Sequence, residues 1–187
     1  MGLLGADLEV AGDRYRIAKI LRGQNWNPNL RAPLSAPGID VNEGDVILAV
    51  DGRDLTTDMN PYELFEGTAG RQTALRVASG ADAEPRTVTV VPVASEMMLR
   101  QRGWIEHNRR VVDEMSDGRL AYVWLPNTGF GGYTNFNRYY FAQQDKKGAV
   151  IDERFNHGGL IADYIVDLLS RELMGFFNLS LIHISEP

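Results

Sequence analysis

The chain has 187 residues, room for one large domain or two small ones, and 44% hydrophobic and 24% charged residues, as in an ordinary globular protein. The net charge of −6 excludes the positive field that attracts nucleic acid or anionic lipid, and the absence of cysteine excludes disulfides and thiolate chemistry. No apolar run approaches the roughly 20 residues that span a bilayer, and the first residues lack a secretory signal pattern. We therefore expect a cytoplasmic protein with neither nucleic-acid nor membrane partners.

The first part of the chain is predicted to be rich in β-strands. The turn residues Asp51 and Gly52 favour a hairpin, and Asn60 followed by Pro61 is typical of the start of a short helix. Strands are indicated by mostly alternating apolar residues or by short apolar runs bounded by turn residues. The predicted strands are Arg14–Leu21, Asp45–Val50, Gln72–Ser79 and Arg86–Val93.

This order of elements resembles a PDZ domain of the type attached to bacterial proteases. The resemblance is carried by GIDVNEGDVILAVDGRDL (Gly38–Leu55) and by the helix that follows it. A PDZ domain leaves a sheet edge beside a helix, where a peptide can add as an extra strand through main-chain hydrogen bonds. The alternative, that the domain is a spacer or gate without a ligand, is equally compatible with the sequence.

Residues 95–117 are predicted to form a connecting helix, with a break at Gly103. Apolar residues recur near helical spacing, and several arginines occupy the other faces. His107 stands among charged neighbours, which favours a solvated surface position over a ligand or base.

The following segment alternates strand and helix. Its predicted elements are a strand in Arg119–Gly129 ended by Pro126, a helix in Gly131–Gly148, a strand over Ala149–Phe155 and a helix over Leu160–Glu172. Such alternation predicts an α/β unit with a parallel sheet. Ligands of these sheets gather beyond the carboxyl ends of the strands, and the sequence RFNHGG (Arg154–Gly159) follows such an end.

The glycine pair Gly158–Gly159 lies in the predicted turn between this strand and the last helix. Glycines there permit unusual dihedrals and expose backbone N–H groups, which the helix N-terminus would make attractive to negative charge. Neither GxxxxGK[ST] nor GxGxxG is present, so a phosphate loop of either kind is not indicated, and the oxyanion of an acyl-transfer intermediate is the remaining reading. Taken alone, two glycines are also explained by a tight turn without function.

The wider context resembles a known family. Residues Gly118–Leu169, with AVIDERFNHGG at their centre, are similar to the catalytic C-terminal region of tricorn-type serine peptidases, relatives of the C-terminal processing peptidases. In those enzymes a PDZ domain precedes this region. The resemblance implies an α+β protein in which a β-rich PDZ domain (residues 4–94) and the connecting helix are followed by a partial ClpP/crotonase-like α/β catalytic domain (residues 118–178).

The resemblance also implies the roles of single residues. Gly158 would contribute a backbone N–H to an oxyanion hole, and Arg154, Asn156 and Gly159 would support the turn. His157 occupies a variable position of the motif and is not taken as the catalytic histidine. The family's histidine precedes the PDZ domain and its serine follows the glycine turn, so we expect neither in this chain. No motif that would create a Ser–His pair contains Ser170, Ser180 or His183.

We therefore expect a fragment of a larger serine peptidase that is inactive alone, with residues 179–187 as a non-native tail because SLIHISEP resembles translated adapter sequence. The family implies peptide substrates, a cytoplasmic homo-oligomer, and no metal or organic cofactor. One alternative is a non-catalytic PDZ peptide-binding or scaffold protein. Another is an anion-binding α/β protein that uses the Gly158 turn.

Overall fold

The computed structural model describes residues 1–80 and 83–171. By its internal contacts the chain divides into two compact units, Met1–Asn108 and a second unit that begins at Arg109. Ala81 and Asp82 of the turn before the last predicted strand fall outside the described residues. So do the end of the predicted helix at Glu172, Ser180, His183 and the tail 179–187.

In its described part, the first unit is built on a six-stranded antiparallel sheet. The spatial order is β1-β2-β3-β5-β6, with the short β4 paired to β3. The strands are β1 (Ala6–Ala11), β2 (Arg14–Ile20), β3 (Val46–Val50), β4 (Arg53–Asp54), β5 (Thr73–Ala78) and β6 (Arg86–Val90). The four predicted strands are confirmed with shorter bounds, and β4 is the second strand of the predicted hairpin, whereas β1 was not among the predicted strands.

Local sequence signals account for the turns of this unit. Asp51 and Gly52 both adopt positive φ, 47° and 78°, and join β3 to β4 as the predicted hairpin. Asn60 caps the following helix by accepting a hydrogen bond from the Tyr62 N–H, but this helix is a single 3-10 segment, Pro61–Phe65. Two further 3-10 helices, Pro28–Leu30 and Pro33–Ser35, lie in the proline-containing loop between β2 and β3.

The core of the first unit lies against the sheet and contains fully buried residues from several strands and the 3-10 helix, namely Ile17, Ile47, Leu75, Val77 and Phe65. A buried carboxylate fixes the start of β1. Glu96 Oε1 accepts hydrogen bonds from the N–H groups of Gly5 (2.7 Å) and Ala6 (3.3 Å), and Glu96 Oε2 pairs with Arg100 at 2.6 Å. The beginning of this unit is therefore tied to a residue about 90 positions later in the chain.

The predicted break at Gly103 is wrong. Helix α1 (Met97–Met115) runs without interruption through Gly103, whose missing side chain faces open space. Glycine inside a helix costs only about 1 kcal/mol relative to alanine, which a helix with buried residues such as Leu99 and Ile105 tolerates. His107 on this helix is exposed, as expected.

The second unit has the predicted alternation of strand and helix. It contains β7 (Leu120–Trp124), α2 (Phe130–Phe141), β8 (Gly148–Asp152) and α3 (Ala162–Ser170). β7 and β8 pair in parallel, from Leu120 opposite Gly148 to Trp124 opposite Asp152, which confirms the predicted parallel sheet. A small core of Val123, Leu125, Phe136 and Ile165 packs the helices against these strands. None of the helices in the described ranges is both long and apolar enough to cross a membrane.

Replacing Glu96 by glutamine should lower the free energy of unfolding of the first unit by about 1–3 kcal/mol, because hydrogen bonds to a charged acceptor are lost at a buried position. Urea denaturation followed by circular dichroism measures this loss. Glu66→Gln, at an exposed position, is the matched control and should change the midpoint little. Equal midpoints for the two variants would contradict the role given to Glu96.

Candidate functional site

The predicted site lies where the two parallel strands of the second unit end. Residues after β7 and residues after β8 leave the sheet at the same edge, because the strands run in the same direction. The hydrogen bond from Leu125 N–H to the Asp152 carbonyl (2.8 Å) continues the pairing one step past the strands. RFNHGG follows immediately, as the sequence predicts.

Backbone hydrogen bonds join the two loops at this edge. His157 N–H donates to the Pro126 carbonyl (3.0 Å), Thr128 N–H donates to the Gly158 carbonyl (2.9 Å), and Ile161 N–H donates to the Thr128 carbonyl (2.9 Å). The glycine turn is thus held by the loop after β7 as well as by its own strand.

The two glycines are required for different reasons. Gly159 has φ 151°, and a Cβ there would lie 2.2 Å from the Thr128 carbonyl carbon, so only glycine allows this backbone approach. Gly158 has φ 76°, but a Cβ there would meet no atom within 4 Å. Both glycines are exposed, but Gly159 makes a close backbone contact with Thr128, whereas the Cβ side of Gly158 faces open space.

The surroundings of Gly158 differ from the sequence prediction in two ways. Helix α3 begins at Ala162 with Ile161 as its N-cap, so Gly158 precedes the first turn of the helix, where the helix dipole acts most strongly. The Gly158 N–H is also not open: it donates to Asn156 Oδ1 at 2.7 Å. The orientation of this N–H is set by loop hydrogen bonds and not by the helix.

A buried carboxylate lies at the base of the turn. Asp152, 8% exposed, accepts hydrogen bonds from the Tyr122 hydroxyl (2.6 Å), from Arg154 N–H (3.0 Å) and from the Arg154 guanidinium (2.5 Å to Nη2). Arg154 chiefly, with help from Tyr122, lowers the pKa of Asp152 from 3.8 to about 2 against the opposing effect of burial. Asp152 raises the pKa of Arg154 in turn, so both groups remain charged at neutral pH.

Other contacts fix the backbone of Arg154 and its neighbours. The Trp124 indole N–H donates to the Arg154 carbonyl (2.9 Å), and Asn135 Nδ2 on α2 donates to the Trp124 carbonyl (2.7 Å). Asn127 Oδ1 accepts from the N–H groups of Gly129 (2.9 Å), the N-cap of α2, and of Gly132 (3.0 Å) in its first turn. These contacts fix the backbone where the loops after β7 and β8 leave the strands.

Sequence reasoning missed Tyr122, Asn127 and Asp152. Asn127 had a detectable signal, since asparagine shortly before a helix is a common cap. Asp152 and Tyr122 lie within predicted strands, and their contact spans 30 residues, so no local pattern indicates it.

The structure does not bring a serine and a histidine together among its described residues. His157 is exposed, and the Ser170 hydroxyl donates to the Val166 carbonyl of its own helix (2.8 Å). No cluster of three or more possible metal-binding side chains occurs within residues 1–80 and 83–171.

The described structure thus has an antiparallel sheet with PDZ-like element order, followed along the chain by a parallel strand–helix unit with a pinned glycine turn. Residues 2–95, just over half of the chain, match the tricorn protease PDZ domain family. The chain belongs to the tricorn protease family.

Relatives with this name extend the similarity beyond the PDZ domain. Tricorn protease homolog 1 of Streptomyces coelicolor is 37% identical over 176 residues, which are 94% of this chain and 16% of that protein. A putative tricorn-like protease C-terminal subunit of Sulfurisphaera tokodaii is 35% identical over 178 residues, 94% of this chain and 20% of that protein. The crystal structure of the tricorn protease superposes with a TM-score of 0.82 at 30% identity, over 95% of this chain and 17% of that one. The chain thus spans a fifth or less of these relatives.

The two glycines should respond differently to alanine. Gly159→Ala forces a Cβ against the Thr128 backbone and should prevent the second unit from folding stably. Gly158→Ala should cost only about 1–2 kcal/mol, since it adds left-handed backbone strain in open space. Urea denaturation monitored by Trp124 fluorescence compares them, and similar losses for both variants would contradict the packing assigned to Gly159.

The stability of the second unit should fall as the pH drops from about 5 to about 2. Because the pKa of folded Asp152 is below its unfolded value, the ionised form stabilises the fold above that range, and protonation removes the contribution. After solvent screening of the exposed Arg154, we expect a loss on the order of 1–2 kcal/mol. Denaturation of Asp152→Asn should lack this pH dependence, whereas Asp145→Asn, an exposed control, should retain it.

Proposed function

We propose that this chain is the PDZ domain and the first part of the catalytic domain of a tricorn-type serine peptidase that hydrolyses peptides by acyl transfer. In this proposal residues 4–94 form the PDZ domain, 95–117 the connecting helix and 118–178 the start of a ClpP/crotonase-like catalytic domain. The observation that carries it is the position of the Gly158 N–H, which lies in a turn at the carboxyl edge of a parallel sheet in a chain of this family and is held there by a side chain.

Gly158 acts in this proposal as one donor of the oxyanion hole. A serine attacks the scissile carbonyl, a histidine transfers the proton, and the Gly158 N–H stabilises the negative oxygen of the tetrahedral intermediate. Arg154, Asn156 and Gly159 maintain the turn through the contacts described above. The nucleophile and the base come from segments other than this chain, so the 187-residue chain alone does not hydrolyse peptides.

The remaining features follow from the family. The substrates are peptides, the working form is a cytoplasmic homo-oligomer, and the chemistry uses neither a metal nor an organic cofactor. The loops joined at the sheet edge contribute a preorganised donor, which is what an acyl-transfer site requires before the nucleophile arrives.

A second candidate function is peptide binding without catalysis. It is favoured by a groove of about 1070 Å³ in the first unit, lined mainly by small apolar and proline residues of the β2–β3 loop and of the segment after β6. β6 is at the end of the sheet order, so its outer edge has main-chain groups to offer an extended peptide. This function needs no contribution from Gly158.

Replacing the Gly158 amide by an ester removes the N–H without adding a side chain. In a complete peptidase that carries this segment, we expect kcat to fall about 100- to 1000-fold, as for loss of one oxyanion donor, with little change in KM. The matched variant is an ester at the exposed Leu160, because neither its N–H nor the preceding Gly159 carbonyl forms a hydrogen bond with any described residue, and its loss should be much smaller.

Fluorogenic peptide hydrolysis measures both variants, and the unmodified 187-residue chain serves as the blank. Equal activity of the Gly158 ester and the natural amide, or turnover by the blank, would refute the proposal. Peptide binding that persists without any contribution of Gly158 to hydrolysis would favour the second candidate.

A further inference from the structure

The Gly158 N–H already has an acceptor, and the acceptor stands where an oxyanion would stand. Asn156 Oδ1 lies 2.7 Å from the Gly158 nitrogen, and an oxyanion is expected at about 2.7–3.1 Å from its donors. One N–H group makes one well-aligned hydrogen bond, so the amide oxygen and the oxyanion compete for it.

We propose that Asn156 is a positioning residue whose side chain occupies the Gly158 N–H while the site is empty and rotates away when the tetrahedral intermediate forms. This inference rests on the proposed oxyanion role of Gly158. In addition to supporting the turn, Asn156 then determines when the Gly158 N–H is available to the substrate.

Hydrogen bonds hold the peptide groups on both sides of the His157–Gly158 peptide, which carries the donor. The Gly158 carbonyl accepts from Thr128, the neighbouring His157 N–H donates to Pro126, and Asn156 N–H donates to the Glu153 carbonyl (2.9 Å). Gly159 is packed against the Thr128 backbone. The part that is free to rotate is the Asn156 side chain, whose Nδ2 donates to no described residue.

Space and energy are compatible with this rotation. A Cβ at Gly158 would meet no atom within 4 Å, so the Cα side of this residue is open, and the position along the N–H is taken by Asn156 Oδ1. A neutral hydrogen bond in a partly exposed position contributes only about 0.5–1.5 kcal/mol net, whereas an oxyanion makes a charge-assisted bond of roughly twice the strength. The anion therefore displaces the amide oxygen.

The charge of the side chain at position 156 separates this role from simple support. Asn156→Asp keeps the shape and gives a stronger acceptor, so the turn is retained, but it places a negative charge where the oxyanion forms. Asn156→Ala removes the acceptor. Asn137→Asp on α2 introduces the same charge in the same unit at a side chain that forms no hydrogen bond with Asn156 or Gly158 and is the matched control.

The first measurement uses the 187-residue chain and the ¹⁵N–¹H resonance of Gly158. In Asn156→Ala the amide proton should shift upfield and exchange faster with solvent. In Asn156→Asp it should shift downfield, and this shift should titrate as the new carboxyl is protonated; in Asn137→Asp it should not move. A Gly158 resonance that is unchanged in Asn156→Ala would overturn the inference, whatever the function of the turn.

The second measurement is peptide hydrolysis by a complete peptidase that carries this segment. Asn156→Asp should lower kcat at least about tenfold relative to Asn137→Asp, because like charges a few ångströms apart repel, with KM within about twofold. Asn156→Ala should lose less. Full activity of Asn156→Asp would overturn the inference. If the resonances shift as expected but the Gly158 ester variant keeps full activity, the oxyanion role itself is refuted.

Discussion

The second unit depends on one close approach, the backbone of Thr128 against Gly159. A side chain at Gly159 would occupy the position of the Thr128 carbonyl, so the absence of a Cβ is what permits the contact. The approach allows two hydrogen bonds, from Thr128 N–H to Gly158 and from Ile161 N–H to Thr128. These bonds join the loops that follow β7 and β8, and they fix the Gly158–Gly159 peptide group, next to the peptide group that carries the Gly158 N–H. A preorganised donor is worth more in a reaction than one that must be ordered during it.

The electrostatics below the turn support the same rigidity. Asp152 is buried at the end of β8, and a buried carboxylate is costly unless it is paired and hydrogen-bonded. Tyr122 from β7 and Arg154 from the turn supply those partners, so the charge couples the two strands to the loop. Removing one partner would leave the charge uncompensated, which is more damaging than removing the whole cluster. The ionised pair is therefore a structural element of the turn, because the Asp152 carboxylate already accepts hydrogen bonds from Tyr122 and Arg154.

Local signals in the sequence predicted the Asp51–Gly52 hairpin, the parallel strands and the position of RFNHGG at the sheet edge, because turn residues and apolar runs encode these features within a few residues. β1 carried no such signal. Its residues are mostly half-buried or exposed, so apolar alternation is weak, and its start is fixed by Glu96 far along the chain. The break expected at Gly103 failed because the cost of one glycine is smaller than the packing of α1. The role of Asp152 was hidden because its contact with Tyr122, 30 residues away, is created by folding, although Arg154 is only two residues away.

The proposed exchange between Asn156 and an oxyanion resolves a conflict in the demands on an oxyanion donor. In the transition state the N–H must be available to the oxyanion. Before that, it needs another acceptor, because an N–H without a partner has no hydrogen bond to orient it. A backbone acceptor would hold the group permanently, since its removal requires the chain to move. A side-chain amide holds the same geometry and leaves by rotation about its own bonds, at the cost of one neutral hydrogen bond. The pinned backbone and the rotating side chain are thus complementary: the loop after β7 holds the backbone, and Asn156 supplies the side chain.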